Sequence, residues 1–373
     1  MRSRPRVAQG IAAVAVLGLL TTVPLTADAV PAEDSSPSTT VEVPTKTVIP
    51  LGKVTATLKP QTAIRFATFN VRTSRADRGT SHHWLHRVGS VAREIKSRNP
   101  GIVAIQELGP GRADGKKGKL HGATRQTTSL ERALGRIGAG KYRLVRETAY
   151  VKPGSNHGTQ GARILYDTSR FSLVSHCPET TGKKNYNYAC SLNTPILGRD
   201  GRGQTRSAAY AQFKHKATGK KFWAISVHLD DRHSGSRSKE RAYDNLRRSQ
   251  IRAAYNRVQG LNGARVPVIV GGDINSWRTK SGSDAPRSYL LGQGLRDSVN
   301  APRKVDARYP TVNHFKRVLR ANAPGRQVAL DIVMVKGRVT FSRYENVMQV
   351  ADSSRSSDHN MVVSDLVLDP AEA

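Results

Sequence analysis

A short apolar run that ends in two glycines and two oxygen-bearing side chains limits most strongly how this chain can fold. Residues 266–270 are mostly β-branched, the composition of a strand buried on both of its faces. The glycine pair that follows is expected to turn the backbone sharply. Asp273 and Asn275 stand two residues apart, so their side chains can point into one cavity. There they can hold a hydrated divalent cation or position a water molecule, and the alternative is an ordinary Asx turn at a strand end.

The start of the chain has the features of a secretory signal. Residues 1–29 contain a positive segment, an apolar run from Ile11 to Leu20, and small residues that end at Ala29. The apolar run is too short to span a bilayer comfortably, and no later segment is long enough. We therefore expect a secreted, extracellular protein without a membrane-spanning segment after cleavage. A retained N-terminal anchor is the alternative.

The rest of the chain divides into a linker and one folded domain. Residues 30–60 are rich in Pro, Ser, Thr and Val, which predicts a linker of low order. One domain is predicted over residues 61–369, with helices near residues 81–99, 129–137 and 239–259. Predicted strands outnumber helices, and helices separate several of them. This pattern favours an α/β (α+β) four-layer sandwich of two packed mixed β-sheets flanked by helices over a purely parallel sheet.

The charge of the chain is strongly positive. Lys and Arg number 60 and Asp and Glu number 28, and the net charge of +32 falls only to +30 without residues 1–29. Such a charge raises encounter rates with nucleic acid or anionic lipid and does not decide between them. Basic groups follow two predicted strands: Arg112, Lys116, Lys117 and Lys119, and Arg237, Lys239 and Arg241. The alternative is that these charges only keep the protein soluble.

The chain has two cysteines, Cys177 and Cys190. In an exported chain an isolated pair is expected to form a disulfide, which here would close a small surface loop. A zinc site is disfavoured because no close cluster of Cys and His accompanies the pair.

Polar residues able to bind metal or transfer protons stand at the ends of successive predicted strands. They are Asn70, Glu107, His228, Asp273, Asn275, Asp331, Asp358 and His359. The motifs that contain them resemble the endonuclease/exonuclease/phosphatase superfamily, which has the fold of pancreatic-type deoxyribonuclease. The six motifs are Thr68–Arg72, Gln106-Glu107, Ser226–Leu229, Gly272–Asn275, Asp331–Met334 and Ser357–His359. Each is weak alone, but all six in this order over nearly the whole predicted domain are specific.

The resemblance implies hydrolysis of a phosphodiester with the help of a divalent metal ion. Glu107 would be the main metal ligand, with Asn70 beside it and Asp358 near the metal-bound waters. Mg²⁺ is the expected cofactor because it prefers oxygen ligands and keeps several waters, and Ca²⁺ and Mn²⁺ are alternatives. Glu107 as a loop carboxylate and Asn70 as a strand-end cap are the plain structural interpretations.

The resemblance also implies roles for the other side chains. Asp273 and Asn275 would orient the attacking water and the phosphate, and His228 would donate to a phosphate oxygen. His359 would act as a base or as a phosphate-stabilising cation, with Asp331 holding its ring. A carboxylate inside an apolar strand, as Asp331 is, needs a partner, which supports this pairing.

The substrate expected from the charge is nucleic acid. We expect a monomeric nuclease that hydrolyses DNA, with RNA as a further substrate, and with phosphate contacts from Arg163, Tyr150, Lys116 and Lys117. The alternative is a phospholipid or sphingomyelin phosphodiesterase, or an inositol-phosphate-type phosphatase, of the same fold. No exposed apolar hairpin of the kind expected in a lipase is found in the sequence. A third possibility, from another class, is a catalytically inactive polyanion-binding protein.

Overall fold

The computed structural model describes residues 62–146, 161–178, 190–194, 206–277, 284–322, 328–348 and 355–368. The predicted signal peptide and linker and Tyr150 lie outside these residues. Within them the helices are α1 (Trp84–Arg98), α2 (Gln126–Arg136), α3 (Arg237–Leu261) and α4 (Ala285–Gly292), with one 3₁₀ turn at Ser298–Asn300. No helix in this described part of the chain combines the length and the apolar character needed to cross a bilayer.

The strands of the described residues form two mixed sheets. In chain order they are β1 (Thr62–Asn70), β2 (Ile102–Gln106), β3 (Tyr142–Leu144), β4 (Arg163–Asp167), β5 (Phe171–Leu173), β6 (Ser191–Asn193), β7 (Ser207–His215), β8 (Lys221–His228), β9 (Val268–Asp273), β10 (Arg296–Asp297), β11 (Arg303–Val305), β12 (Asp331–Lys336), β13 (Val339–Asn346) and β14 (Val362–Leu368). The first sheet has the order β11-β13-β14-β1-β2-β4-β3, and the second has the order β10-β12-β9-β8-β7-β5, with β6 paired to β7. Each sheet contains both parallel and antiparallel pairs.

Three apolar clusters fill the spaces between four layers. Phe66 and Val333 belong to the cluster between the two sheets. Trp84 of α1 lies in the cluster that joins α1 and α2 to the first sheet. Ile251 of α3 and Leu290 of α4 lie in the cluster on the outer face of the second sheet. The order is therefore helices, sheet, sheet, helices, which confirms the predicted sandwich.

Gly271 and Gly272 lie inside β9, so the prediction that they turn the chain is wrong. A Cβ on Gly271 would lie 2.6 Å from Cε1 of Phe66 and 2.9 Å from Cβ of Ala104, both on the facing sheet. A Cβ on Gly272 would lie 2.3 Å from the carbonyl oxygen of Val227 on β8. The two glycines are therefore needed for close packing, and they let β9 carry its polar end into the space between the sheets.

We expect Gly271→Ala to lower the free energy of unfolding by about 1–3 kcal/mol, the usual range for an overpacked core. The added methyl group would have to displace the ring of Phe66 and the β2 backbone at Ala104, both on the facing sheet. Gly260→Ala in α3 is the control, because no atom lies within 4 Å of the Cβ it would add. It should leave stability unchanged or raise it by up to about 1 kcal/mol. Urea unfolding midpoints measure both, and equal midpoints would contradict the packing role of Gly271.

The predicted disulfide between Cys177 and Cys190 is confirmed. The two Cα atoms lie 5.5 Å apart. The bond joins the segment after β5 to the residue that precedes β6. It therefore fastens two neighbours of β7 at one end of the second sheet, beside the cluster between the two sheets.

Candidate active site

Three neighbouring strands of the second sheet present polar side chains at one edge. In the strand register Asp331 of β12 is paired with Asp273 of β9, and Asp273 is paired with His228 of β8. All three residues are buried. Ile269 and Val333, at even spacing from Asp273 and Asp331 on their strands, belong to the cluster between the sheets. Because alternate residues of a strand share a face, the polar side chains point toward the first sheet.

The first sheet supplies Asn70 at the end of β1 and Glu107 directly after β2. Nδ2 of Asn70 donates hydrogen bonds to Oδ2 of Asp273 at 3.0 Å and to Oε1 of Glu107 at 3.2 Å. Oε2 of Glu107 accepts the backbone N–H of Thr73 at 2.8 Å. β1 and β2 are parallel neighbours, so their ends meet at the same edge. The structure thus brings Asn70, Glu107 and Asp273 together, with Asn70 as the link between the sheets.

His359 joins this group from the segment before β14. Its Nδ1 lies 2.9 Å from Oδ2 of Asp331, and its Nε2 lies 3.8 Å from Oδ2 of Asp273. Nε2 of His228 lies 3.6 Å from the same oxygen of Asp273. The other oxygen of Asp331, Oδ1, is buried and has no hydrogen-bond partner among the described residues. A buried carboxylate oxygen without a partner is costly, and a bound water or cation would remove this cost.

Burial and the neighbouring carboxylates act on His359 in opposite directions. Burial favours the neutral ring, but Asp331 and Asp273 stabilise the imidazolium more strongly, so the pKa of His359 is raised well above its ordinary value. Burial also raises the pKa of Asp273, with His359 opposing this effect and Asp331 adding to it. The arrangement therefore favours a charged His359 between the two carboxyl groups.

Two sets of side chains could hold a metal ion. Asp273, Asp331 and His359 offer ligand atoms that lie within 4.8 Å of one another, and this buried group is consistent with a metal site. Glu107 and Asn70 form a second set: Glu107 offers two carboxylate oxygens, and Asn70 offers an amide oxygen that accepts the backbone N–H of Arg72 at 3.0 Å while its Nδ2 donates to Glu107. Carboxylate and amide oxygens suit Mg²⁺, Ca²⁺ and Mn²⁺, and imidazole extends the range to softer ions. A bound cation or water beside the first set would also satisfy the unpaired Oδ1 of Asp331.

Asn275 holds Asp273 in place. Its backbone N–H donates to Oδ1 of Asp273 at 3.0 Å, and its Nδ2 donates to the carbonyl oxygen of Leu229 at 3.0 Å. Asn275 has a left-handed backbone with φ of 48°. The Asx turn considered as an alternative is therefore present, and it orients Asp273 within the buried group.

Arg72 is a residue of this site that the sequence did not single out. Its guanidinium group donates to both Asp77 and Asp358. Burial opposes its charge, but the two carboxylates outweigh burial and raise the pKa of Arg72. Arg72 and Glu107 both have left-handed backbones, with φ of 52° and 59°. Such conformations are strained for residues of this size and are common at functional sites.

Buried Arg87 on α1 ties together the two segments that carry Asn70 and His359. It donates to the carbonyl oxygens of Val71 and Ser356, and at 2.6 Å to that of Arg72. Helical spacing places Arg87 beside apolar Val88 and Val91, so the sequence contained a signal that Arg87 lies on the buried face of α1. The sequence contained no signal for its hydrogen-bond partners, because they are distant in the chain. Its role is to position the backbone around the site.

Glu94, about two turns after Arg87 on α1, also binds the segment that carries His359, and its burial makes this contact sensitive to pH. It accepts a hydrogen bond from the hydroxyl of Ser356. Burial raises the pKa of Glu94 from 4.5 to about 7, against the opposing effects of Ser356 and of Arg98 and Arg355. Between these pH values the unfolded chain has lost its proton while the folded chain keeps it, so stability falls as pH rises.

We therefore expect Glu94→Gln to gain stability relative to the wild type as pH rises. The gain between pH 5 and pH 8 should be about 2.5 kcal/mol, because one pKa unit corresponds to about 1.4 kcal/mol and a small part of the effect is already present at pH 5. Urea unfolding of both proteins at the two pH values measures this difference. A difference that does not change with pH would show that Glu94 ionises normally in the folded protein.

Three of the four predicted phosphate contacts lie among the described residues. Arg163 is buried at the start of β4, where it is paired with Ile105 and shares the face that packs toward α1 and α2. Lys116 and Lys117 are exposed in the loop between β2 and α2. Tyr150 lies outside the described residues. Substrate contact by these four residues stays a prediction.

Comparison with known families and structures agrees with this geometry. The family model described as Endonuclease/Exonuclease/phosphatase family matches residues 67–359. A comparison with curated proteins gives no match. An endonuclease/exonuclease/phosphatase family protein from Bacteroides thetaiotaomicron is 20% identical, with a TM-score of 0.58, and the match covers 83% of this chain and 100% of that one.

Two further solved structures, a phosphatase and a complex with DNA, have the same fold. A mannosyl-6-phosphatase from Bacteroides thetaiotaomicron is 20% identical, with a TM-score of 0.54, and the match covers 81% of this chain and 99% of that one. D. rerio TDP2, complexed with single strand DNA product, is 15% identical, with a TM-score of 0.50 and coverage of 82% and 98%. At these identities the similarity shows the fold and not the substrate.

The family match spans the segment from β1 to His359, and therefore includes every strand end that contributes to the buried group. The chain belongs to the endonuclease/exonuclease/phosphatase family and is a hydrolase that acts on phosphoester bonds.

Proposed function

We propose that this protein is a metal-dependent nuclease that hydrolyses DNA, and RNA as a further substrate, by attack of water on the phosphodiester. The observation that carries this proposal is the net charge of +32 on a chain with a phosphoesterase site. A polymer with a phosphate at every unit benefits from that charge along its whole length, whereas a small phosphorylated compound benefits only at the site.

The pKa shifts in the buried group favour different catalytic roles for His359 and Asp273. His359, whose pKa is raised by Asp331 and Asp273 in spite of burial, is better suited to stabilise a phosphoryl oxygen as a cation than to accept a proton. Asp273, whose pKa is raised by burial, is the better proton acceptor for the attacking water. Asn275 fixes Asp273, and His228 donates to a second phosphoryl oxygen.

Glu107 is the proposed metal ligand, with Asn70 beside it and Asp358 near the metal-bound waters. Nδ1 of His359 is already bonded to Asp331, which disfavours the Asp273, Asp331 and His359 set. Within the described part of the chain, each oxygen of Glu107 accepts one hydrogen bond and keeps lone pairs for a cation. A bound Mg²⁺ ion would withdraw negative charge from the phosphate and lower the barrier to attack.

Secretion of the protein is part of the proposal. The signal-like residues 1–29 and the disulfide between Cys177 and Cys190 support it, because disulfides persist in oxidising compartments. N-terminal sequencing of protein recovered from culture medium checks it. The expected first residue is Val30, and retention of the complete chain inside the cell would contradict secretion.

A panel of substrates tests the catalytic proposal. Supercoiled plasmid, single-stranded RNA, sphingomyelin vesicles, an inositol phosphate and mannose 6-phosphate are incubated with the purified protein, with Mg²⁺ or with a chelator. We expect cleavage of plasmid with Mg²⁺, none with chelator, and none by an Asp273→Asn variant. Intact plasmid together with hydrolysis of a lipid or a sugar phosphate would reject the nuclease and leave the alternative phosphodiesterase or phosphatase.

A further inference from the structure

The first part of α3 extends past the sheet edge at which the buried group lies. The backbone N–H of Asp230, two residues after β8, donates to Oε1 of Gln250 at 2.9 Å, and Arg247 donates to the carbonyl oxygen of Arg232 at 2.8 Å. The end of β8 is therefore level with the middle of α3. Residues 237–246 precede this level, and at 1.5 Å per residue they form about 15 Å of helix beyond the end of β8, with one side packed against the segment that follows β8. We call residues 237–246 the α3 arm.

The exposed surface of α3 carries only positive charge. Its exposed charged residues are Arg237, Lys239, Arg241, Arg248 and Arg252. Its two acidic residues, Glu240 and Asp244, are buried and bind Arg247 at 3.1 Å and 2.8 Å. The acidic residues therefore neutralise a buried arginine and leave the exposed charges without a carboxylate on their own helix.

Four of the exposed arginines form one line along the helix. Arg237, Arg241, Arg248 and Arg252 are separated by four, seven and four residues, which places them on one face. The line is about 22 Å long at 1.5 Å per residue. One strand of a duplex has a phosphate about every 3.4 Å of axis, so the line is long enough to follow about six phosphates.

Two of the exposed cations of α3 lie at the end of the helix where a positive charge is unfavourable. Arg237 and Lys239 lie in the first turn of α3, and the last turn has no basic residue. The helix macrodipole is positive at its N-terminus, so cations destabilise the first turn and would stabilise the last. A role in stabilising the helix therefore does not explain the position of these residues, whereas contact with an external polyanion does.

The α3 arm is tied to the segment that carries the catalytic carboxylate. Nδ1 of His233 lies 3.0 Å from Oε1 of Glu240 in the arm. The ring of His233 also contacts the ring of Trp277, with centroids 5.5 Å apart. Trp277 follows Asp273 by four residues and Asn275 by two. A polymer bound along the arm is therefore held beside the site and not on a remote surface.

We propose that the α3 arm and the arginine line form a second contact surface for the sugar-phosphate backbone of a nucleic acid, outside the cleft in which the bond is hydrolysed. This inference rests on the proposed nuclease function and makes it more specific. The substrate is a polymer with a flank that extends about 20 Å along α3. The arginines are positioning residues, because they hold this flank and do not touch the reacting phosphate.

The test replaces Arg237, Arg241, Arg248 and Arg252 together with glutamine. The matched control replaces Arg93, Arg132, Arg136 and Arg143, exposed arginines of the opposite helical layer and its sheet, and makes the same change in net charge. Binding of a duplex of about 30 base pairs is measured by fluorescence anisotropy in chelator, from about 50 to 300 mM KCl. Hydrolysis of bis(p-nitrophenyl) phosphate with Mg²⁺ is measured in parallel.

The slope of log Kd against log salt changes by about 0.9 for each lost phosphate contact. Loss of four contacts should therefore lower the slope by about 3.6 in the α3 variant, whereas the slope of the control should stay near the wild-type value. Hydrolysis of the small diester should be unchanged in both variants. Equal slopes in the two variants would overturn the proposal. A selective loss of binding to phosphatidylserine vesicles, with equal DNA slopes, would also overturn it and assign the surface to membranes.

The two proposals can fail separately, because binding is measured without metal and cleavage is not. A reduced slope in the α3 variant supports the contact surface even if the wild type leaves DNA intact, which would reject only the nuclease. Metal-dependent cleavage of DNA together with equal slopes would reject only the contact surface.

Discussion

His359→Gln is expected to lower kcat for phosphodiester hydrolysis by about 10³-fold, within the range for loss of a positioned acid–base or charge-stabilising group. The charged ring lies between Asp331 and Asp273, and glutamine keeps much of its size and polarity but not its charge. KM should change much less than kcat, because the lost interaction is strongest in the transition state. Steady-state kinetics on plasmid or on a small diester with Mg²⁺ measure both values.

His86→Gln is the control for this variant, since His86 is exposed on α1. It should keep wild-type activity, and circular dichroism checks that both variants are folded. Asp331→Asn provides a second check, because Asp331 raises the pKa of His359. Without that carboxylate the ring loses its proton at lower pH, so activity should decline at lower pH than in the wild type. A His359→Gln enzyme with more than a tenth of wild-type kcat would contradict a direct role in the reaction.

Glu107→Gln is expected to raise the metal concentration needed for half-maximal activity by about 100-fold or more, since loss even of an outer ligand contact typically costs 10–100-fold. Glutamine can still accept the N–H of Thr73 but removes the negative charge that attracts a divalent cation. Isothermal titration of the variant with Mn²⁺ measures the affinity directly, and kcat at saturating metal shows whether chemistry is affected separately.

Glu131→Gln is the matched control, because Glu131 accepts the backbone N–H of Leu144 at 3.0 Å in the way that Glu107 accepts that of Thr73. It should bind Mn²⁺ like the wild type. If Glu107→Gln keeps wild-type metal affinity and Asp331→Asn loses affinity, the metal site must instead be assigned to the Asp273, Asp331 and His359 group.

The sequence was sufficient to predict the architecture because the core strands are long and apolar. β9 and β12 could be found as β-branched runs, and α3 by its apolar stripe, within two residues of its observed ends. β10 and β11 were not predicted, since they have two and three residues and form only by pairing with β12 and β13. Gly271 and Gly272 were assigned to a turn because local glycine chemistry does not reveal how closely the facing sheet approaches.

For the site, the sequence supplied most of the residues and none of their distances. The order of polar strand ends pointed to Asn70, Asp273 and His359. The bonds that join them link residues far apart in the chain, such as Asn70 and Asp273, which are 203 positions apart, and Arg72 and Asp358, which are 286 apart. No spacing rule finds such pairs, so Arg72 was missed although it stands in the first motif. The charge state of His359 likewise depends on carboxylates that only the fold brings near it.

The central claim is that the two sheets join their polar strand ends into one metal-dependent site. Anomalous diffraction from crystals of the protein soaked in Mn²⁺ tests it most directly. A peak about 2.2 Å from a carboxylate oxygen of Glu107, next to Asn70 and facing Asp273 and His359, is the predicted result. A peak held by other residues away from this edge, with Glu107 unliganded at saturating Mn²⁺, would contradict it.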